Sequence, residues 1–340
     1  MIDNAIYPWQ KPLWQQLTST RDRLPHAMLL RGRSGIGKFD FAKSLTNALL
    51  CQTPDSEGFA CGVCASCGWF AQGNHPDYRL LSPEQDATGD EDSPAPAKTS
   101  KRSQILIGQI RELDSFLEQS SHSSDGLRIV LIYPAEALNP IAANALLKML
   151  EEPPKGLKFI LVADQPHRLL ATIMSRCNKI DMPIPSRDDA VTWLAQHDVK
   201  DAAVRLDYAG GSPISALEDA EEGAQSLATV WQMLTQGAKL DVFPLATLCA
   251  SLGMENAIHA IQKWVYDIMA CRFTGKIRYH TAHASALQAL SERVDLGLLM
   301  DFQRKLNQAR KTASHPLNNE LQLENILLNY IQLFSMKTRP

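Results

Sequence analysis

A glycine-rich segment between an apolar run and a helical pattern has the spacing of a phosphate-binding loop. Residues 32–38, GRSGIGK, fit the pattern G-x-x-x-x-G-K. In such a loop the backbone N–H groups and a helix N-terminus hold phosphate, and the lysine reaches the outer phosphates. The candidate nucleotide-binding residues are therefore Gly32, Gly35, Gly37 and Lys38.

Two positions that hold the magnesium ion of an active P-loop ATPase carry unsuitable residues in this chain. Phe39 stands where the loop motif needs serine or threonine, and a phenyl ring offers no oxygen to a metal. The apolar run 128–132 should end in acidic residues, but Tyr133-Pro134 follow it and Glu136 is the first carboxylate. We therefore expect no hydrolysis of Mg-ATP by this chain. The loop could still bind nucleotide weakly or without metal, or it could be a relict connection between strand and helix.

Four cysteines crowd into one short segment and could form a metal site. Cys51, Cys61, Cys64 and Cys67 include two overlapping C-x-x-C turns. Four soft thiolate ligands in a closed tetrahedron are typical of structural zinc. Redox chemistry and an iron–sulfur cluster are the alternatives, although the thioredoxin-like context of a redox C-x-x-C is missing. The spacing predicts structural Zn²⁺, with His75 close by in sequence but surplus to the four ligands.

Short apolar runs alternate with helical patterns in the first half of the chain. The predicted strands are 26–30, 78–81, 128–132 and 158–163. Runs that are apolar throughout are typical of parallel strands covered on both faces, so an α/β domain is expected. A helix is predicted at 142–150, and the Pro- and acid-rich segment 82–103 is predicted to be a mobile loop.

The strand pattern ends near residue 187, and the rest of the chain is helical in character. We predict an α/β P-loop-type domain at 1–186 with a zinc module at 51–67, a small helical domain at 187–222 and an all-α domain at 223–340. Apolar residues recur there at helical spacing. These stripes are interpreted mainly as core, and some could face partner helices in an oligomer.

Composition limits the classes of function that the chain can have. With 340 residues, 21% of them charged, it has ordinary globular composition for two or three domains. No apolar run approaches the roughly 20 residues of a membrane helix, and no secretory signal pattern is seen, so a cytoplasmic location is expected. A net charge of −3 and a pI of about 6.3 make DNA an unfavourable main partner for the chain alone. Whole-chain charge does not exclude a local basic patch.

Several further segments resemble the clamp-loader branch of the AAA+ proteins. The two most specific are the segment from Asn144 to Pro154, NALLKMLEEPP, and Ser175-Arg176-Cys177. The four-cysteine insertion is similar to the zinc module of bacterial clamp-loader subunits, and Tyr7-Pro8-Trp9 and His75-Pro76-Asp77 fit the same family. The resemblance covers nearly the whole chain. It implies an AAA+ domain followed by a helical lid and a helical collar.

The same resemblance implies a function in DNA replication. Clamp loaders of this family are five-membered rings that open the sliding clamp and place it on primed DNA. They belong to the DNA polymerase III holoenzyme, a DNA-directed DNA polymerase and nucleotidyltransferase. Gamma/tau subunits bind and hydrolyse ATP, and delta opens the clamp. A further, comparatively rigid subunit lends the arginine of its Ser-Arg-Cys motif to the ATP site of an adjacent gamma/tau subunit.

Carried onto this chain, the resemblance makes Arg176 a trans-acting arginine finger. Ser175 and Cys177 are its motif neighbours. Active family members also carry a second sensor arginine in a G-S-x-R segment, and Ile214 stands in its place. Three features that handle ATP within the same chain are therefore missing, whereas the glycine-rich loop with Lys38 and the arginine that acts on a neighbour are kept.

Two other functions stay open on the sequence. An autonomous AAA+ ATPase with an atypical site would show Mg-dependent hydrolysis by the purified chain, abolished by Lys38→Ala. A zinc-dependent nucleic-acid-binding protein would bind primed DNA alone with strong salt dependence. The acidic pI weighs against the second possibility.

Overall fold

The chain forms two compact units, Met1–Pro185 and Ser186–Pro340. The computed structural model describes residues 6–83, 104–118, 126–221, 224–311, 313 and 318–334. Apart from Ser82 and Pro83, the predicted mobile loop lies outside the described residues. A division of the second unit into lid and collar stays a prediction.

A parallel sheet forms the centre of the first unit. Its described strands are β1 (Ala27–Arg31), β2 (Tyr78–Leu81), β3 (Arg128–Ile132), β4 (Leu157–Ala163) and β5 (Asn178–Asp181). They run parallel in the order β2-β3-β4-β1-β5. The first four strands confirm the prediction. The fifth does not follow from the sequence pattern, because it is a polar and largely exposed edge strand.

Helices cover both faces of this sheet. The described helices of the first unit are α1 (Lys11–Ser19), α2 (Lys38–Leu50), α3 (Ala65–Ala71), α4 (Ile107–Glu118), α5 (Pro140–Glu151) and α6 (Ala171–Arg176). On one face Met28 and Leu30 of β1 join a core with α1 and α2. On the other face Ala27 and Leu29 join a core with α4 and α5. Alternate residues of one strand thus enter two cores, which explains why the strand is apolar throughout.

Helix α5 extends beyond its predicted span of 142–150 at both ends. Asn139 is its N-cap, and the Asn139 side chain accepts a hydrogen bond of 2.7 Å from the Ala142 N–H. Pro140 is the first helical residue, where its fixed φ is favourable and its missing N–H costs nothing. The helix ends ahead of Pro153-Pro154, as expected from the restriction that proline places on the preceding residue.

The second unit is helical throughout its described residues. Its helices are α7 (Arg187–Gln196), α8 (Ala202–Tyr208), α9 (Pro213–Glu221), α10 (Ala224–Leu234), α11 (Val242–Ser251), α12 (Met254–Thr274), α13 (Ala284–Arg293), α14 (Leu296–Lys311) and α15 (Asn319–Gln332). The apolar stripe of α12, at Ile258, Ile261, Val265 and Ile268, is fully buried, which confirms its interpretation as core. In the part of the chain that the structure describes, no helix is both long enough and apolar enough to span a membrane.

A buried chain of hydrogen bonds ties α15 to α12 and α10. The indole N–H of Trp264 donates to the Tyr330 hydroxyl at 2.9 Å, and that hydroxyl donates to the Leu234 carbonyl at 2.8 Å. Complete burial raises the pKa of Tyr330, so its hydroxyl keeps the proton it donates.

The variant Tyr330→Phe is expected to lower the free energy of unfolding by about 1–3 kcal/mol, because it leaves a buried donor and a buried acceptor unpaired. Chemical denaturation measures the effect. Tyr266→Phe, which removes the hydroxyl of a tyrosine that is 42% exposed, is the matched control and should change stability little. Equal stability of the two variants would contradict the role given to the Tyr330 hydroxyl.

Candidate functional site

The predicted phosphate loop joins β1 to α2 and is covered by the segment that precedes α1. Gly37, immediately before α2, has a φ of +82°. A Cβ at Gly37 would lie 2.2 Å from the Tyr7 ring, so conformation and space both require glycine. The Gln10 amide donates to the carbonyls of Ile36 and Gly37 at 2.9 Å each, and the Trp9 indole donates to Ile36 at 3.1 Å. The loop is therefore held in place by this N-terminal segment.

The loop lysine is buried and already paired within the chain. Lys38 Nζ lies 2.5 Å from Asp164 Oδ1, and it also donates to the Arg33 carbonyl. The Lys38 side chain is 2% exposed, and that of Asp164 is 20% exposed. Asp164 directly follows β4. Its backbone N–H and that of Gln165 donate to Glu136 Oε1 at 3.0 and 2.8 Å. The positive charge that a phosphate would use is therefore balanced by an internal carboxylate.

The two residues that replace metal ligands pack against each other. The rings of Phe39 and Tyr133 are stacked, with centroids 4.5 Å apart and planes inclined by 22°. Phe39 is the second residue of α2, and Tyr133 follows β3 directly. An aromatic pair of this kind contributes about 0.5–1.5 kcal/mol beyond the area it buries. The stacked rings stabilise the contact between the start of α2 and the end of β3, but they supply no metal ligand.

A Lys38→Met variant should lower the free energy of unfolding by about 3–5 kcal/mol, because it leaves the Asp164 carboxylate in a largely buried place without its cation. Combining it with Asp164→Asn should recover most of the loss. Chemical denaturation measures both. Lys43→Met, at an exposed position of the same helix, is the control and should have little effect. A Lys38→Met variant as stable as this control would show that the ion pair does not support the fold.

The four predicted metal ligands converge at the C-terminal end of α2, which is the end away from the phosphate loop. Cys51 follows that helix directly, whereas Cys64 is the N-cap of α3 and Cys67 lies within α3. All four sulfurs lie within 4.8 Å of one another. Cys51 Sγ is 3.9 Å from Cys64 Sγ, and Cys61 Sγ is 4.0 Å from Cys67 Sγ. All four cysteines are free of disulfides, and the group could hold a metal ion.

Backbone N–H groups point at three of these sulfurs. The N–H groups of Cys61, Cys64 and Cys67 lie 3.3, 3.4 and 3.5 Å from the Sγ atoms of Cys51, Cys61 and Cys64, respectively. Hydrogen bonds from the Thr53 side chain and from backbone groups lower the pKa of Cys61 to about 6. Burial instead raises the pKa of Cys51 and of Cys67. The donors favour thiolates, and a bound cation would keep the buried thiols deprotonated as well.

His75 supports the cysteine segment without being one of its ligands. Its Nδ1 accepts from the Asp77 N–H at 3.0 Å, which leaves the ring proton on Nε2. Nε2 lies 2.8 Å from Ser66 Oγ, and Ser66 donates in turn to the Leu50 carbonyl at 2.8 Å. His75 is buried and ties α3 to the end of α2, so both of its ring nitrogens are in use.

Arg176 is the last residue of α6, and its side chain is 35% exposed. One terminal nitrogen lies 2.5 Å from Glu151 Oε1, at the end of α5. The other donates to the Thr172 carbonyl at 3.0 Å and to Ser175 Oγ at 3.4 Å. The neighbouring Cys177 is buried in the core, which raises the pKa of its thiol to about 11 and disfavours the reactive thiolate. A phosphate that bound Arg176 would compete with Glu151 for the guanidinium.

The structure brings only some of the predicted residues together. Lys38, Phe39 and Tyr133 meet near the carboxyl ends of β1 and β3, the edge at which parallel sheets commonly bind ligands. Ile214 lies in the first turn of α9, in the second unit. Asp164 is a site residue that sequence reasoning missed. Its signal is an acid placed directly after an apolar strand, at the same edge of the sheet as the loop.

Solved structures show distant similarity over much of the chain. A DNA polymerase III gamma subunit-related protein from Thermotoga maritima is 18% identical, with a TM-score of 0.48 over 95% of this chain and 99% of the other. The Bacillus subtilis DNA clamp loader delta protein is 9% identical, with a TM-score of 0.33 over 95% of this chain and 99% of the other.

Curated relatives are much closer in sequence. The DNA polymerase III subunit delta-prime of Pseudomonas aeruginosa is 33% identical over 349 aligned positions, covering 96% of this chain and 98% of the relative. The delta-prime subunit of Escherichia coli is 34% identical over 62% of this chain and 60% of the relative. Residues 9–186 match the family model described as DNA polymerase III, delta subunit. This chain therefore belongs to the family of DNA polymerase III delta-prime subunits.

Proposed function

We propose that the chain is a non-hydrolysing clamp-loader subunit whose Arg176 completes the ATP site of a neighbouring gamma/tau subunit. The observation that carries this proposal is the state of the chain's own pocket. Phe39 stacks on Tyr133 where metal ligands are needed, and Lys38 is paired with Asp164. The family relationship supports the replication role.

The chemistry assigned to Arg176 is stabilisation of charge on the transferring phosphoryl group. Negative charge is spread over the equatorial oxygens of that group in the transition state, and an arginine supplied in trans stabilises it. A guanidinium keeps its charge at every physiological pH and presents a planar fork that suits phosphate. The partial exposure of Arg176 supports access from a second chain. In the free chain the Glu151 carboxylate pairs with Arg176. A nucleotide carries more negative charge than this single carboxylate and can therefore replace it as the partner of the arginine.

We infer that the degenerate phosphate loop is mainly a structural connection. A nucleotide would have to displace Asp164 from Lys38 and would meet the Phe39–Tyr133 stack in place of its metal ion. The cover formed by Tyr7 and Gln10 supports the same interpretation. ATP or ADP binding to Gly32, Gly35, Gly37 and Lys38 is therefore not expected to drive the cycle.

The metal proposed for the cysteine cluster is structural Zn²⁺. A regular ZnS₄ tetrahedron with Zn–S bonds of about 2.3 Å has sulfur–sulfur edges of about 3.8 Å. The two measured separations, 3.9 and 4.0 Å, are close to that edge. Four cysteine ligands leave no open position, so the ion would connect the end of α2 to α3 and would take no part in catalysis.

The proposed partners are gamma/tau and delta subunits in a hetero-pentameric ring, which acts in the cytoplasm on the sliding clamp and primed DNA. Co-purification of the tagged full-length chain with these subunits tests the assignment. Recovery of a ring with one copy of this chain is expected. A chain that binds none of these subunits would refute the assignment. Mg-dependent ATPase activity of the purified chain, abolished by Lys38→Ala, would instead favour an autonomous ATPase.

A further inference from the structure

A groove in the second unit is lined by aromatic and basic side chains. Its cavity of about 790 Å³ lies beside the C-terminal half of α12 and the loop that follows this helix. Its lining includes Arg187, Tyr266, Phe273, Lys276 and Arg278, and these five residues define the basic aromatic groove. We propose that the groove binds single-stranded nucleic acid.

Two exposed rings stand along one side of the groove. Tyr266 is 42% exposed and packs edge-to-face on Tyr279 with ring centroids 5.5 Å apart, and Phe273 is 62% exposed. They are seven residues apart on α12, so they lie on one face of the helix and about 10 Å apart along its axis. Exposed rings in this arrangement can stack on successive bases of an extended strand.

The charge in the groove is positive, in contrast to the net −3 of the whole chain. Arg187 is balanced by Asp207 at 3.0 Å. Lys276 and Arg278 are exposed, and within the described residues no ion pair joins either of them to a carboxylate. The groove therefore has two cations in excess beside its two rings. This pattern differs from an ordinary apolar contact surface, because exposed cations and exposed rings line the same groove.

The loop that carries these cations is held rigidly. Both Asp267 side-chain oxygens are fully buried, and they accept the backbone N–H groups of Arg278, Tyr279 and His280 at 2.8–3.2 Å. The Asp267 carboxylate also pairs with His280 Nδ1 at 2.8 Å. The buried carboxylate thus holds the loop backbone through hydrogen bonds. This places Arg278 at the rim of the groove before any ligand binds. Pre-organisation of this kind lowers the entropy lost on binding.

The combination of rings and cations favours a single strand over the other acidic ligands. A duplex keeps its base faces stacked inside, so it would use the cations and leave Tyr266 and Phe273 uncovered. An acidic protein segment would likewise use the cations, but its carboxylates would not stack on the rings. A single strand offers phosphates and unstacked bases together, and each base stacked on an aromatic ring strengthens binding about 5- to 150-fold.

Fluorescence anisotropy of labelled oligothymidine with the purified full-length chain tests the proposal. We expect salt-sensitive binding that Phe273→Ala weakens about 5- to 150-fold. Phe273→Leu should weaken it similarly, because leucine keeps the apolar contact but lacks a π face. Removing both excess cations with Lys276→Ala/Arg278→Ala should reduce the slope of log affinity against log salt by about 1.4, from a value of about 0.7 per phosphate contact on single strands.

Matched controls lie elsewhere in the same unit. Phe243→Ala removes a ring that is 69% exposed, and Lys200→Ala/Lys239→Ala removes two exposed cations. Both controls, and Arg176→Ala, should leave binding unchanged, so failure of the arginine-finger assignment would not affect this result. Absence of binding at low salt would overturn the proposal. Displacement by polyglutamate as effective as by oligothymidine, with no effect of Phe273→Ala, would also overturn it and assign the groove to an acidic protein.

Discussion

Replacing Arg176 by alanine is expected to lower ATP turnover at the neighbouring site by about 10³- to 10⁵-fold, while the ring still assembles. The reason is that the role proposed for Arg176 lies in the ATP site of another chain and not in its own. Its polar contacts within the chain are the Thr172 carbonyl and Ser175 in its own helix, and Glu151 at the end of α5. Removal of the side chain is therefore expected to leave the core intact and to remove only the role proposed for the arginine at another subunit.

Single-turnover hydrolysis by the reconstituted ring, followed together with clamp loading on primed DNA, measures this effect. Arg176→Lys should recover little, because an ammonium is a point charge and lacks the fork that contacts two oxygens. Arg168→Ala is a matched control, since it removes another exposed arginine ahead of the same helix. Full turnover at every site of a ring that contains Arg176→Ala would refute the finger role.

Loss of the metal is the second large effect that we expect. Structural zinc sites contribute apparent binding free energies of about 10–16 kcal/mol at neutral pH, and this energy is available only to the folded site. Cys67→Ser should remove stoichiometric metal from the chain and open residues 51–71 to protease. A strong chelator should do the same to the native chain.

Metal content by elemental analysis and limited proteolysis together measure this outcome. Cys271→Ser is the control, because Cys271 is partly buried in α12 and contacts Ser291, well apart in sequence from the cluster. A colourless protein with one zinc per chain supports the assignment. Visible absorption with bound iron would identify an iron–sulfur cluster instead, and a metal-free, protease-resistant chain would show that the sulfurs need no ion.

The sequence could predict those features of the site that lie within one short segment of the chain. The loop Gly32–Lys38, its defect at Phe39 and the four cysteines follow from spacing within short segments, and the apolar strands follow from composition. The partner of Lys38 did not follow, because Asp164 reaches the loop only through the order of strands in the sheet. The edge strand β5 could not be predicted either, since a polar and largely exposed strand carries no apolar run.

The contact between Arg176 and Glu151 shows a different limit. Glu151 belongs to the segment on which the family resemblance rests, yet nothing in the pattern relates it to the arginine 25 positions later. The pairing depends on how α5 and α6 end in space. Resemblance can therefore assign a role to Arg176 without revealing what the side chain contacts before a neighbour arrives.

The stack of Phe39 on Tyr133 has a consequence for how such a subunit can change over evolutionary time. Restoring a hydroxyl at position 39 alone would break an aromatic pair and still leave Lys38 bound to Asp164. Restoring an acid at position 133 alone would place a carboxylate against a phenyl ring. Each single substitution is expected to lower stability before any metal can bind, so hydrolysis would require several substitutions together. Under the proposed function, this packing would oppose a return to hydrolysis and would preserve the dependence on neighbouring subunits.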